Sequence, residues 1–468
     1  MPLGLLVACG IAEGCKQRSD AGASTSASVT ASGPASASAS SSAGAASADH
    51  RQLARAFVQA LGEGRYDEAR KTFGAEMAKA IDEQQLAQVW ISATASGGAF
   101  DSVSDANATP VGDNDRVVVS VKLANGTVDV SVVYPRSGAE IVGLHIGEVV
   151  SPYAAPAYVD ATKFTATEVN VGEGALALPA TLCTPSGAGP FPIVLLVHGS
   201  GPGDRDESIG PSKPFRDLAE GLASRGVAVL RWEKRTHGHV AALAMDPTAL
   251  TIKEEYLDDV AAAIKLARAT PSIDPARVFI VGHSQGGMMM PKLLALDPKL
   301  RGGVSMSGNA RRFEDAFVPQ YEYLAKATGQ ADVPLAKQQI EDMRKRVARV
   351  KDPALSESTK ATDLPLDVPP KYWLSLRGYD QVATAKTLPQ PLLFLQGGRD
   401  YQVTEAEDLA LWKKGLAGKT NATFKVYPKL NHAYFAGEGT IGPAEYLTLG
   451  HVDAQVIDDL VAFVGAAR

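Results

Sequence analysis

Val278-Phe279-Ile280-Val281-Gly282-His283-Ser284-Gln285-Gly286-Gly287 runs from an unbroken apolar segment into a serine framed by glycines. A continuous apolar run of this kind reads as a strand buried on both faces of a parallel sheet. The residues after it fit G-x-S-x-G, a strand-to-helix turn so tight that only small neighbours fit around the serine. Ser284 is thus a candidate nucleophile, with Gly286 and Gly287 supplying the room.

Working outward, the same alternation continues. Leading strands are expected around 165–171 and 175–184, then a buried strand at 193–197 (Ile-Val-Leu-Leu-Val) running into His198-Gly199-Ser200-Gly201-Pro202-Gly203. A helix over 215–224, a strand over 227–231 and a helix over 257–268 follow. Further strands fall at 303–307, 391–395 and 424–427, and a last helix carries Val456, Leu460, Phe463 and Val464 on one side. Alternating strands and helices give an α/β fold with a parallel sheet covered on both faces. Ligands of such sheets bind beyond the carboxyl ends of the strands.

A serine hydroxyl needs a base within hydrogen-bond reach. Of the eight histidines, His432 in Leu430-Asn431-His432-Ala433 follows the strand at 424–427, at the correct end of the sheet. His451, before the final helix, is the runner-up; His283 abuts the serine but is expected to point away along the turn. An imidazole in turn needs a carboxylate to fix its tautomer. Asp400, in Gly397-Gly398-Arg399-Asp400, follows the strand at 391–395, with Glu405, Glu407 and Asp380 as rivals. The oxyanion of an acyl-transfer intermediate needs preorganised N–H donors. The backbone amides of Gln285 and Ser200 are the candidates, with Gly201 as an alternative to Ser200.

Taken in order, His198-Gly199-Ser200-Gly201-Pro202, Asp204-Arg205-Asp206-Glu207, Gly282-His283-Ser284-Gln285-Gly286-Gly287, Gln396-Gly397-Gly398-Arg399-Asp400-Tyr401-Gln402-Val403 and Asn431-His432 resemble the α/β-hydrolase superfamily, in particular its secreted or lipoprotein serine esterases. The chain order Ser, Asp, His is the one such enzymes use. The resemblance implies Ser284 as nucleophile, Asp400 as acid and His432 as base, no cofactor, and a small-molecule ester as substrate. Glu233 stands where these esterases commonly show Asp, and Thr236 where Gly is usual. Asp204, Arg205 and Asp206 either pin the oxyanion loop by ion pairing or form a solvated charge run.

Between 309 and 390 no strand pattern appears. Leu335, Ile340, Met343, Val347 and Val350 point to amphipathic helices with a basic face of Arg344, Lys345, Arg346, Arg349 and Lys351. An insertion here is expected to form a lid. Phe313, Phe317, Tyr321, Tyr323, Tyr372 and Trp373 line an acyl pocket or pack a core.

The N-terminal third reads differently. Leu53, Ala56, Phe57, Ala60 and Leu61 share a helix face, whereas Val117, Val119, Val121 and Leu123 alternate with polar or outward residues and lead through Asn125-Gly126 into Val128, Val130 and Val132. Helices followed by a hairpin give a small α+β accessory domain over about 49–150. The segment from Gly62 to Asp67, with Phe73 and Trp90, resembles a domain of unknown function found ahead of some secreted hydrolases. Residues 19–48 are almost all Ala, Ser, Thr, Gly and Pro and are expected to be a disordered tether, reaching about 35 Å. Leu6-Val7-Ala8-Cys9 resembles a bacterial lipobox, making 1–18 a lipoprotein signal and lipidation region with Cys9 acylated. No Lys or Arg precedes it, which points to a start upstream of Met1. Gly10 after the cysteine favours the outer membrane, so the expected location is the cell envelope, held to a membrane surface by lipid alone.

Composition bounds the alternatives. Over 468 residues, 46 basic against 52 acidic side chains leave a net charge of −6, which disfavours a nucleic-acid partner. No apolar run reaches the ~18–20 residues that span a bilayer. No H-E-x-x-H or close Cys/His set points to a metal, and His237-Gly238-His239 alone is weak. The expected activity is carboxylic-ester hydrolysis through an acyl-enzyme. A peptidase or amidase with the same residues, and a non-catalytic tethered binding protein, are the rivals.

Overall fold

The computed structural model describes residues 27–30, 43–147, 149–150, 152–239 and 250–467. Cys9, the lipidation region 1–18 and most of the Ala/Ser-rich tether lie outside them. The chain divides into two compact units, 24–154 with 447–449, and 155–446 with 450–468.

The first unit holds strand β1 (Ala27–Thr30), helices α1 (Ala43–Gly62), α2 (Tyr66–Arg70), α3 (Ala75–Ala80) and α4 (Glu83–Thr94), then β2 (Phe100–Val111), β3 (Asn114–Leu123), β4 (Gly126–Pro135) and β5 (Gly143–Ile146). The strands form an antiparallel sheet in the order β1-β5-β4-β3-β2. Alternation along β3 and β4 puts Val117, Val119, Val121, Val128, Val130 and Val132 inward, in one core with Phe57 and Leu61 of α1 and Leu86 and Trp90 of α4. Asp82 starts α4 with a capping box, accepting from the Gln85 amide while the Gln85 side chain accepts from its own.

Within the stretch expected to be tether, the structure departs from disorder at two places. Ala27–Thr30 pairs antiparallel with β5, and α1 begins at Ala43 instead of near Asp49. An open sheet edge offers backbone donors and acceptors regardless of side chain, and alanine is the best helix former. Composition that argues against a buried core therefore does not argue against either element.

The second unit continues with β6 (Phe164–Val171), β7 (Leu178–Pro185), β8 (Phe191–Val197), α5 (Pro214–Ala223), β9 (Ala228–Trp232), α6 (Arg235–Gly238), α7 (Asp259–Ala269), β10 (Ile273–His283), α8 (Gln285–Leu296) and β11 (Gly302–Met306). After an insertion come β12 (Leu392–Gly397), α13 (Ala410–Gly415), β13 (Ala422–Tyr427) and α14 (Ala454–Ala466). The sheet order is β13-β12-β11-β10-β8-β9-β7-β6. From β13 to β9 every neighbouring pair is parallel, and the antiparallel β7 and β6 close one edge. Strands β11 and β12 are buried throughout, as expected of central strands covered on both faces, with Ser305 and Gln396 buried among apolar and glycine residues.

The insertion is helical, as expected: α9 (Phe317–Ala327), α10 (Pro334–Lys351), α11 (Pro370–Leu376) and α12 (Gln381–Thr387). Its basic side is not a free cationic surface. Arg344 pairs with Glu322 and Glu341, Arg346 with Asp367, Arg349 with Asp352 and Lys351 with Asp315. Its aromatics are mostly core: Phe313, Phe317 and Trp373 pack on one another with ring centroids 5.2–6.2 Å apart, and Tyr323 stacks on Tyr401.

Candidate active site

Ser284 sits between β10 and α8 with φ 52° and ψ −118°, a left-handed conformation that serine adopts only when its surroundings impose it. The framing glycines show how. A Cβ on Gly282 would lie 2.2 Å from Gly286 O, and one on Gly286 would lie 2.3 Å from Val197 O. The Ser284 amide donates to Met306 O (2.8 Å) and its carbonyl accepts from the Met288 amide (2.9 Å), which fixes the turn on both sides. Among the described residues Ser284 Oγ has no hydrogen-bond partner, leaving it available.

Asp400 follows β12 and His432 follows β13. His432 Nδ1 lies 2.6 Å from Asp400 Oδ2, with both side chains buried. Asp400 Oδ1 accepts from the Gln402 and Val403 amides at 2.9 Å each, and Oδ2 also accepts from Gln396 Nε2. A carboxylate so saturated holds a fixed orientation and keeps the imidazole proton on Nδ1. His432 Nε2 has no hydrogen-bond partner among the described residues. The ring is tied to the elbow through His283, whose centroid is 4.7 Å away and whose Nε2–H donates to His432 O at 2.9 Å.

His451, the alternative base, instead faces Asp217 at 3.1 Å, and the same carboxylate accepts from the Val452 amide. The rival acids are engaged elsewhere: Asp380 caps α12 through the Ala383 amide, Glu405 lies near Lys413 and Glu407 pairs with Arg311.

The loop after β8 comes up to the serine. A Cβ on Gly199 would be 3.6 Å from Ser284 Oγ. Among the described residues the amide of Ser200 has no hydrogen-bond partner, and that of Gln285 opens α8, where helix geometry leaves N–H groups unpaired. Asp206 pairs with Arg231 and Lys213, and Arg205 with Glu233 and Glu168, but Asp204 is not ion-paired among the described residues: it caps its own turn through the Ser208 amide and hydroxyl. These pairs hold neighbouring segments, whereas the loop after β8 itself is gripped by Glu207 and Lys234, which the motif reading had left without a role. Glu207 Oε1 accepts from the Gly199 amide at 2.6 Å, and its Oε2 faces His283 Nδ1 at 3.0 Å. Burial works against charge on both partners. Their mutual attraction outweighs it, holding the His283 imidazole above its ordinary value and the Glu207 carboxyl below.

Lys234 Nζ donates to Gly199 O (2.6 Å) and Gly201 O (2.8 Å) and pairs with Glu255 Oε1 (2.9 Å). The other Glu255 oxygen accepts from Tyr372 OH, which accepts from Gln285 Nε2 at 2.9 Å. Burial pushes the Tyr256 and Tyr372 phenols well up, so both remain protonated donors. Residue type alone gave little sign of this cluster: Glu255 stands in Lys253-Glu254-Glu255-Tyr256-Leu257-Asp258-Asp259, among four other charged residues, and nothing in that run marks it as one of the acids that fold inward. Glu233 and Thr236, the departures from the esterase pattern, contact Arg205 and His237, and Gly201 O, respectively.

A strained serine, an imidazole oriented by a carboxylate and two backbone amides are the kinds of group that acyl transfer calls for. A model of the alpha/beta hydrolase family matches residues 194–438, and one of a protein family of unknown function (DUF3887) matches residues 54–144. Over 414 residues, 88% of this chain and 95% of the relative, the chain is 33% identical to Esterase EstD of Thermotoga maritima. Among solved structures, it is similar to Est1E from Butyrivibrio proteoclasticus (17% identity, 64% and 98% of the two chains, TM-score 0.42). Another is the dipeptidyl peptidase 4 of Porphyromonas gingivalis (16% identity, 77% and 43%, TM-score 0.43).

Proposed function

This chain belongs to the α/β hydrolase family, and on that premise we propose that it hydrolyses carboxylic esters of small molecules through an acyl-enzyme on Ser284. The observation that carries the reading is the 2.6 Å Asp400–His432 contact, which leaves Nε2 unpartnered on a ring packed against the residue before the serine. His432 Nε2 takes the Ser284 proton as Oγ attacks the ester carbonyl. Asp400 stabilises the imidazolium that forms. The carbonyl oxygen, now negative, is received by the Ser200 and Gln285 amides, each such donor contributing roughly 3–4 kcal/mol to the barrier reduction in comparable enzymes. His432 then protonates the departing alcohol, and a water activated by the same nitrogen releases the acid. The kinship with an esterase over most of both chains supports an ester as the scissile bond.

The test is hydrolysis of p-nitrophenyl acetate and butyrate beside aminoacyl-p-nitroanilides, with fluorophosphonate labelling of Ser284. Ester turnover lost in Ser284→Ala is expected. Turnover of the anilides alone would make the chain a peptidase or amidase, and activity equal in wild type and Ser284→Ala would remove the serine from the mechanism. The proposal extends to location: Cys9 carries a lipid that keeps the enzyme at an envelope membrane. Radiolabelled palmitate incorporated by wild type and not by Cys9→Ala, in cells expressing the natural gene, is the expected result.

A further inference from the structure

We propose that Lys234 is the positioning residue of the oxyanion site, aiming the Ser200 amide by clamping the carbonyl on the other side of the same peptide; this rests on the reading of that amide as an oxyanion donor. Gly199 C=O and Ser200 N–H belong to one peptide group, which is planar and trans, so its oxygen and its hydrogen point in opposite directions. Whatever fixes the oxygen fixes the donor. Lys234 Nζ lies 2.6 Å from Gly199 O, and Tyr256 OH lies 3.0 Å from the same atom. The ammonium also holds Gly201 O, the carbonyl two residues along, at 2.8 Å. Together these contacts leave the Gly199–Ser200 peptide little freedom to rotate.

The chemistry of the lysine fits this task closely. An ammonium carries three protons, and its hydrogen bonds run to Gly199 O, Gly201 O and Tyr256 OH (3.2 Å), with Glu255 Oε1 as the counter-charge at 2.9 Å. The side chain is 3% exposed, and a buried ion pair adds little net stability compared with apolar groups of the same shape. Its use is therefore sought in orientation and charge. A cation on the carbonyl oxygen also draws electron density from the peptide and strengthens its N–H as a donor to a developing anion.

The second donor is tied into the same cluster. Gln285 reaches Tyr372 OH with its Nε2 at 2.9 Å and Tyr256 OH with its Oε1 at 3.2 Å, and Tyr372 returns to Glu255. With the bond from Lys234 Nζ to Tyr256 OH, the residues Lys234, Glu255, Tyr372, Gln285 and Tyr256 close a ring beneath both donor residues. Tyr372 enters it from α11 of the inserted helices, so the seating of the insertion is registered at the oxyanion site.

The experiment uses the full chain with Lys234→Met, and with Lys234→Met/Glu255→Gln, which removes both charges and leaves no buried carboxylate unpaired. The expected result with p-nitrophenyl butyrate is a fall in kcat of about 100-fold, with KM within about threefold. Inhibition by an alkylboronic acid, whose tetrahedral adduct on Ser284 places an oxygen at the oxyanion position, should weaken in the same proportion. A folded double variant with wild-type kcat overturns the proposal, as does a loss of kcat with boronate affinity unchanged. If Ser284→Ala keeps full activity, the underlying reading fails instead, so the two failures are separable. Should neither lysine variant fold, Tyr256→Phe removes a single donor to Gly199 O: kcat lower by about fivefold at constant KM supports the assignment, and an unchanged kcat overturns it.

Discussion

His432 and His50 each press a ring nitrogen against a buried aspartate, one in each unit of the molecule: 2.6 Å to Asp400 in the second, 3.0 Å to Asp115 in the first. The difference lies at the other nitrogen. His50 Nε2 is held by Gly138 O at 2.9 Å, and the ring is stacked on Tyr134; His432 Nε2 has no partner among the described residues. With both nitrogens engaged, His50 is a structural tie between α1 and the loop after β4. His283 is a third case, with Glu207 at one nitrogen and His432 O at the other. A histidine–carboxylate pair is thus not in itself a base: on the proposed reading, it is the unpartnered nitrogen of His432 that suits it to the role.

The sharpest way to break this comparison is to remove the groups on the vacant side. Ser284→Ala or His432→Ala should lower kcat by about 10⁴–10⁶, read from ester turnover. In a thermal scan the unfolding temperature should be little changed for Ser284→Ala but lowered for His432→Ala, which leaves Asp400 buried without its partner. Asp400→Asn keeps the shape but reverses the hydrogen-bonding pattern at Nδ1, so kcat should fall by about 10⁴-fold; a fall below tenfold would mean that the aspartate does not set the tautomer. Breaking the His283–Glu207 pair tests the intermediate case. Glu207→Gln leaves a buried imidazole without its counter-charge and should destabilise by about 3 kcal/mol. Because folding raises the His283 value above 6.5, its contribution is complete below pH 6.5 and fades as pH climbs through the raised value. Glu207 is lowered below 4.5, so its contribution is complete above pH 4.5 and fades as pH drops through the lowered value. The gap in stability between wild type and Glu207→Gln should therefore be widest between pH 4.5 and 6.5, as urea titrations at several pH values would measure. The smallest effect on turnover belongs to His50→Gln: a loss of about 1–3 kcal/mol in the first unit, with kcat within twofold of wild type.

Much of the second unit was legible because its signals are local. Glycine at 282 and 286 is demanded by carbonyls within 2.3 Å of where a Cβ would stand, and such demands leave a fixed spacing in the chain. Asp400 and His432 could be singled out because each follows a strand of the sheet, β12 and β13, and strand ends are where the chemistry of a parallel sheet is expected. Lys234 and Glu207 were not legible in the same way. Their partners at Gly199 are 35 and 8 positions away and are backbone atoms, which leave no mark on residue type. The basic face of α10 shows a related limit: periodicity shows which side of a helix is charged, but three of the acids that meet it, Glu322, Asp315 and Asp367, come from other segments. The tether was judged by what its side chains cannot bury, whereas Ala27–Thr30 is held through main-chain pairing.

The twisted backbone at Ser284 has an evolutionary corollary. A non-glycine residue in such a conformation costs about 1–3 kcal/mol, which glycine would largely avoid. Ser284→Gly should accordingly melt at a higher temperature than the working protein while being chemically inert. A lineage no longer selected for turnover would drift toward that substitution, so a hardened but silent descendant is the form in which loss of this trade is to be looked for.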